Sequence, residues 1–161
     1  VANVLEKGPG SSVGEVMTST GRALMMKVGG AAGAVFGTLF RGGGVGLLER
    51  SEFDANALAV FLRDGLEAVK KRGNAKVGQK TMVDALEPAA EAVKAALAKG
   101  DGVSGVLAAT VEAAYAGMKH TIDLKATKGR ASYQGEKSIG HQDPGATSSY
   151  YLLLALQETV N

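Results

Sequence analysis

"SEFDANALAVFLRDGLEAVKKRG" occupies residues 51–73. Its apolar positions Leu58, Phe61, Leu62, Leu66 and Val69 recur at helical spacing, and no strand pattern fits them. Ser-Glu-Phe-Asp supplies polar residues suited to a helix start. Lys70, Lys71 and Arg72 load the last turn with cations that complement the helix dipole, and Gly73 is the expected stop. The stretch therefore predicts one well-delimited amphipathic helix.

The same grammar extends in both directions. After the breaker "KGPGSS", Ser12 is a helix cap with Glu15 three residues on, predicting a helix to Lys27. The apolar run "VGGAAGAVFGTLF" (28–40) follows, and "RGGG" (41–44) is expected to interrupt it. Downstream, "NAKVGQK" reads as a loop. An Ala-rich helix is expected from Thr81 to about Lys99, kinked or broken at Pro88. "GDG" (100–102) separates it from a helix near Val103 to Ile122 that carries Val106, Leu107, Val111, Ala114 and Met118. A last helix is expected from Pro144 to about Glu158. No stretch alternates with period two. Short loops imply antiparallel neighbours. The reading is a single all-α domain over residues 1–161.

Composition narrows the function classes. The 161 residues are 45% hydrophobic and 21% charged, enough for a real core. A net charge of +2, from 18 basic and 16 acidic residues, is too balanced for a dedicated nucleic-acid binder. Aromatic residues make up 5% and there is no Trp, which argues against base-stacking platforms. The absence of cysteine suits a cytoplasmic setting. The longest apolar run falls short of the ~20 residues that span a bilayer, so no membrane role is expected. Gly33 and Gly37 within it point to a closely packed helix.

Chemistry concentrates in "KGRASYQGEKSIGHQDPGATS" (128–148), which carries Lys128, Arg130, Lys137 and His141. Asp143 is a favoured N-cap residue, Pro144 suits the first helical position, and Gly145 leaves the following backbone accessible. Such a helix start attracts phosphate, and Arg130 beside Gly129 can hold phosphate oxygens in a bidentate grip. The Gly-rich run lacks the Gly-Lys-Ser/Thr ending of a P-loop, and no strand precedes it. His120 and His141 follow no zinc spacing. Glu49, Glu52 and Asp54 lie close enough in sequence to be a candidate Mg²⁺ set, but acidic residues also gather at helix N-termini, which is the stronger reading.

Three stretches, "KVGGAAGAVFGTLF", "RGNAKVGQKTMVDAL" and above all "ATKGRASYQGEKSIGHQDPGATS", resemble the nucleotide-binding L subunit of dihydroxyacetone kinase nearly from end to end. The "GHQDPGATS" wording is closer to the phosphotransferase-linked kinases than to the fused, ATP-dependent enzymes. The resemblance implies an up-and-down antiparallel helix barrel or bundle with nucleotide at one end. It places ADP/ATP contacts on Ala31, Ala32, Gly73, Met82, Arg130, Asp143, Pro144 and Gly145. It also implies two partners, a dihydroxyacetone-binding subunit and a phosphotransferase-system phosphoryl donor, neither of them a nucleic acid. An alternative role is a regulatory module that reports nucleotide state to a transcription regulator.

Two departures shape the expectation. Ala32 stands where the family often has Ser. The family's Mg²⁺-binding aspartates lie upstream of the matching region and have no counterpart here, so no metal ligand is assigned in this chain. These 161 residues alone are accordingly expected to turn over weakly or not at all. Without the family's first helix, an exposed apolar seam is expected to favour self-association, for example as a homodimer.

Overall fold

A computed structural model describes residues 12–160. All regular structure among the described residues is helical, six α-helices and one 3-10 helix, as the periodicity implied. The chain divides into two compact units, Val1–Asn74 and Ala75–Asn161.

The first unit contains α1 (Val13–Lys27), α2 (Gly30–Val45) and α3 (Ala55–Gly73). Ser12 caps α1 by accepting from the Glu15 amide at 3.2 Å. Asp54 caps α3 in the same way, its Oδ1 accepting from Ala57 N at 2.7 Å. The far end of α3 lies one residue beyond the expected stop. Gly73 is still helical, and Asn74 takes the left-handed conformation (φ 44°) while its N–H bonds to Lys70 O. Asn tolerates that region better than other side-chain-bearing residues because its short amide can bond locally.

Contrary to expectation, "RGGG" does not interrupt α2. Isolated glycines cost a helix about 1 kcal/mol each against Ala, but here they admit two neighbours. A Cβ on Gly37 would lie 2.5 Å from Met25 Cγ and 2.8 Å from Gly21 O, both on α1. On the α3 side, a Cβ on Gly43 would lie 2.5 Å from the Phe61 ring and from its carbonyl. The close approach they allow gains dispersion contacts that offset part of that cost. Positions 14, 21 and 24 of α1 face 44, 37 and 33 of α2, so the pair is antiparallel; 39 and 43 of α2 face 65 and 61 of α3 in the same sense. The α3 stripe Leu58, Phe61, Leu62, Leu66 and Val69 is buried with Leu39 and Leu47. Phe61 meets Phe40 and Phe53 edge-on, at 5.5 Å and 6.1 Å between centroids.

The second unit contains α4 (Val83–Lys99), α5 (Val103–His120), the 3-10 segment Arg130–Ser138 and α6 (Pro144–Val160). Gly100, left-handed at φ 82°, closes α4, and a short turn reverses the chain into α5. Val83, Leu86, Val93, Val106, Leu107 and Met118 are buried in this unit. Of the kink or break expected at Pro88, the break does not occur, since α4 runs through it. Proline removes the amide that would have bonded the Asp84 carbonyl. Gly117 of α5 packs directly onto that carbonyl, where any Cβ would overlap it. A neighbouring Cα–H thus faces the freed oxygen.

Candidate functional site

In the second unit, three chain segments meet at one corner. The loop 76–82 leads into α4, the turn 121–126 follows α5, and Asp143 opens α6. Asp84 holds the loop: Oδ1 accepts from Gly78 N at 2.6 Å and Oδ2 from Thr81 N at 2.8 Å. Thr81 Oγ1 in turn accepts from Val83 N. Thr81 and Asp84 form a capping box, so the functional start of α4 precedes its first fully helical residue.

Across the corner, Asp143 Oδ2 accepts from Ala146 N at 2.7 Å, while Asp143 N donates to Thr121 Oγ1 at 3.0 Å. Thr121 Oγ1 itself donates to Met118 O at 2.6 Å. Gly145 lies against Met82, and a Cβ there would be 3.4 Å from Met82 N and 3.0 Å from Asp143 Oδ2. Met82 and Asp143-Pro144-Gly145 are therefore neighbours, with Met82 and Asp143 buried and Pro144 exposed. Burial pushes the Asp143 carboxyl above its ordinary value. The amides of Ala146 and Gly145 pull it down, the Asp84 charge pushes it up and Lys80 pulls it back.

This arrangement changes one expectation. The amides at the start of α6 are not open to an outside anion, because the Asp143 carboxylate already takes them. What the corner offers a ligand is the half-buried Gly145 backbone and the exposed Pro144 ring, with Met82 buried against Gly145.

Arg130 begins the 3-10 segment, exposed and without an ion pair among the described residues. The loop that carries it is rooted at both ends. Ala126 N donates to Ser138 Oγ at 2.9 Å, and Gly140 N donates to Ile122 O at 2.8 Å. Gly129, Gly135 and Gly140 all adopt positive φ, which explains the glycine punctuation between those roots. Tyr133 on this loop is 91% exposed.

In the first unit, Ala31 and Ala32 lie exposed in the first turn of α2. Gly29 precedes that turn with no side-chain cap, no acidic residue occupies it, and the space around Gly29 and Gly30 is open. Gly73 is exposed at the end of α3. Asp54 is committed to capping α3 and pairs with Arg50 at 3.4 Å, while Glu49 and Glu52 are exposed. Among the described residues, no three His, Cys, Asp or Glu side chains group to hold a metal ion. None of the described helices is long and apolar enough to cross a membrane.

Sequence reasoning passed over Lys80, Asp84 and Thr121. The spacing Thr81-x-x-Asp84 carried a readable capping-box signal. Lys80 carried none, because a lysine in a polar loop reads as solvated.

The family model described as DAK2 domain matches residues 1–158. The chain is 43% identical over 154 residues to "PEP-dependent dihydroxyacetone kinase 1, ADP-binding subunit DhaL" of Listeria innocua, covering 96% of this chain and 71% of that protein. It is 38% identical over 158 residues to "PEP-dependent dihydroxyacetone kinase, ADP-binding subunit DhaL" of Escherichia coli, covering 96% of this chain and 75% of the relative. The solved dihydroxyacetone kinase of C. freundii, in complex with AMP-PNP and Mg²⁺, aligns with TM-score 0.66 at 28% identity. That alignment covers 98% of this chain and 26% of the kinase. By this match, which runs almost the full length of the sequence, the chain belongs to the DAK2 domain family.

Proposed function

We propose that this chain is the ADP/ATP-binding subunit of a phosphotransferase-linked dihydroxyacetone kinase. In that role it takes phosphate from a phosphotransferase-system donor and passes it, through bound nucleotide, to dihydroxyacetone on a partner subunit. The observation that carries the reading is the 43% identity over 96% of the chain to an ADP-binding subunit of such a kinase.

The geometry of each unit is compatible with it. The uncapped start of α2, with Ala31 and Ala32 exposed, is an N-terminal dipole end open to an anion. Ala32 in place of a serine leaves backbone amides as the donors there. The exposed Pro144 ring and half-buried Gly145, backed by buried Met82, form a small surface suited to one face of a base, with Asp143 holding α6 in place. Gly73 offers backbone without a side chain. Arg130, which has no ion pair among the described residues, is a guanidinium available to phosphate oxygens. A bound nucleotide supplies the phosphoryl-carrying group. For Mg²⁺ the described residues do not fit, and no step is assigned to it on them. A kinase subunit of this kind works in the cytoplasm.

Isothermal titration with ADP tests the reading. The chain is expected to bind ADP saturably. Arg130→Ala should weaken ADP by about tenfold, the scale of a lost charge-assisted hydrogen bond, while leaving adenosine nearly unaffected. Absence of ADP binding at millimolar concentration, with and without Mg²⁺, would overturn it. A second reading, contact with a transcription regulator, is favoured by Tyr133, since a large aromatic in solvent is what a partner surface offers. It predicts that Tyr133→Ala keeps ADP affinity and loses the regulator.

A further inference from the structure

Lys80 is the least expected residue of the second unit. It is 3% exposed, although its neighbours Lys76, Val77 and Gly78 are exposed, and it adopts φ 58°, a region that side-chain-bearing residues rarely enter. Its ammonium donates to Thr121 O at 2.5 Å and to Leu124 O at 3.0 Å. These carbonyls lie just past the end of α5, where the helix dipole favours a cation. A buried ammonium is costly unless its donors are satisfied, and a methionine of the same length would fill the space without that cost.

What the charge holds together explains its presence. Thr121, gripped through its carbonyl, accepts the Asp143 amide on its hydroxyl. Asp143 holds the start of α6, whose Gly145 rests on Met82, and Met82 follows Thr81, which is tied to Asp84. The hydrogen bonds run from Lys80 through the turn to α6, and the packing of Gly145 on Met82 leads back to the loop that bears Lys80, closing a ring around the Met82–Gly145 corner. The same 121–126 turn also roots the Arg130 loop, through Ile122 O and Ala126 N, and Gln79 O accepts from Thr127 N at 3.4 Å.

We infer that Lys80 is a positioning residue for nucleotide binding: its buried ammonium clamps the 121–124 turn and thereby sets both the Met82–Gly145 corner and the root of the Arg130 loop. The inference rests on the nucleotide-binding reading above. It assigns Lys80 no contact with the ligand.

The test uses the full chain in three forms: wild type, Lys80→Met and Lys80→Cys. The protein has no cysteine of its own, so a Cys at 80 is a unique thiol. Alkylating it in the unfolded state with 2-bromoethylamine forms one C–S bond, expels bromide and rebuilds an ammonium of lysine length before refolding. Lys80→Met is expected to weaken ADP by about tenfold or more, the scale of losing hydrogen bonds to a charged donor. The aminoethylated protein should recover most of that loss, which a merely space-filling role does not predict. In the absence of nucleotide, amide exchange at Ala126, Gly140 and Asp143 should quicken in Lys80→Met relative to Val93 and Val106 in the core. Unchanged ADP affinity in Lys80→Met, or no recovery on aminoethylation, would sink the inference. If wild type binds no ADP, the functional reading fails by itself, and unchanged exchange at the three amides then removes the clamp as well.

Discussion

The two units solve the problem of close packing largely by different means, although Gly117 of α5 meets backbone much as the first unit's glycines do. In the first, side chains are removed: glycines on α1, α2 and α3 let backbones touch, and the contact is steric and apolar. In the second, polar side chains are buried and paid for by hydrogen bonds. Lys80, Asp84, Thr121, Ser138 and Asp143 are all largely inside, and no buried side-chain N or O atom lacks a partner among the described residues. A glycine interface tolerates no added atom, whereas a polar corner tolerates no lost partner.

That contrast can be broken most forcefully at Gly43. Gly43→Val puts branched carbon into the Phe61 ring and carbonyl, and its small gain in helix propensity is far below the overpacking cost. A loss of about 3 kcal/mol is expected in urea unfolding. A loss under ~1 kcal/mol would mean that α2 and α3 can separate cheaply. Next in size is Asp84→Ala, which strands the amides of Gly78 and Thr81. About 2 kcal/mol should be lost, with the α-helical circular dichroism of the folded protein retained.

Asp143→Asn sharpens the comparison through pH. The folded carboxyl sits above its ordinary value of 3.8 because burial outweighs the amides it accepts. Between 3.8 and the raised value, the folded state therefore holds more proton than the unfolded state, so raising pH through that window costs stability. Asparagine keeps an acceptor for Ala146 N and does not titrate. The wild-type-minus-variant stability should fall as pH rises through the window and level off above it; a flat difference would show that Asp143 titrates as if unfolded. The smallest effect belongs to Arg63→Ala. The Arg63–Asp64 pair at 2.7 Å is close, yet the arginine is 67% exposed, and solvent screening holds the expected change within ~0.5 kcal/mol.

Much of the fold was legible because helix signals are local. Ser12, the polar start before α3, the cationic end of α3, "GDG" and Asp143-Pro144 each act within a few residues of themselves. The continuity of α2 through "RGGG" was not legible, because what stabilises it comes from Phe61 and Ala68 on another helix. At the candidate site, the Asp143–Gly145 helix start was visible, but its own carboxylate filling that start was read as an opening for phosphate. Lys80 was invisible for a related reason. Its partners Thr121 and Leu124 lie 41 and 44 residues away, and no local pattern distinguishes a buried lysine from a solvated one.

The Pro88–Gly117 contact has a consequence for alignment along the helix axes. α4 and α5 are rich in alanine, and alanine faces are smooth: slide one helix along the other by a turn and much of the contact re-forms. The carbonyl freed by Pro88 and the bare Cα of Gly117 form a notch and a key that match at one position only, with Pro88 Cγ and Ala85 Cα completing the notch. A one-turn slip would press a side chain of α5 into that oxygen. Two residues usually regarded as helix breakers thus fix the register of two helices that would otherwise have several.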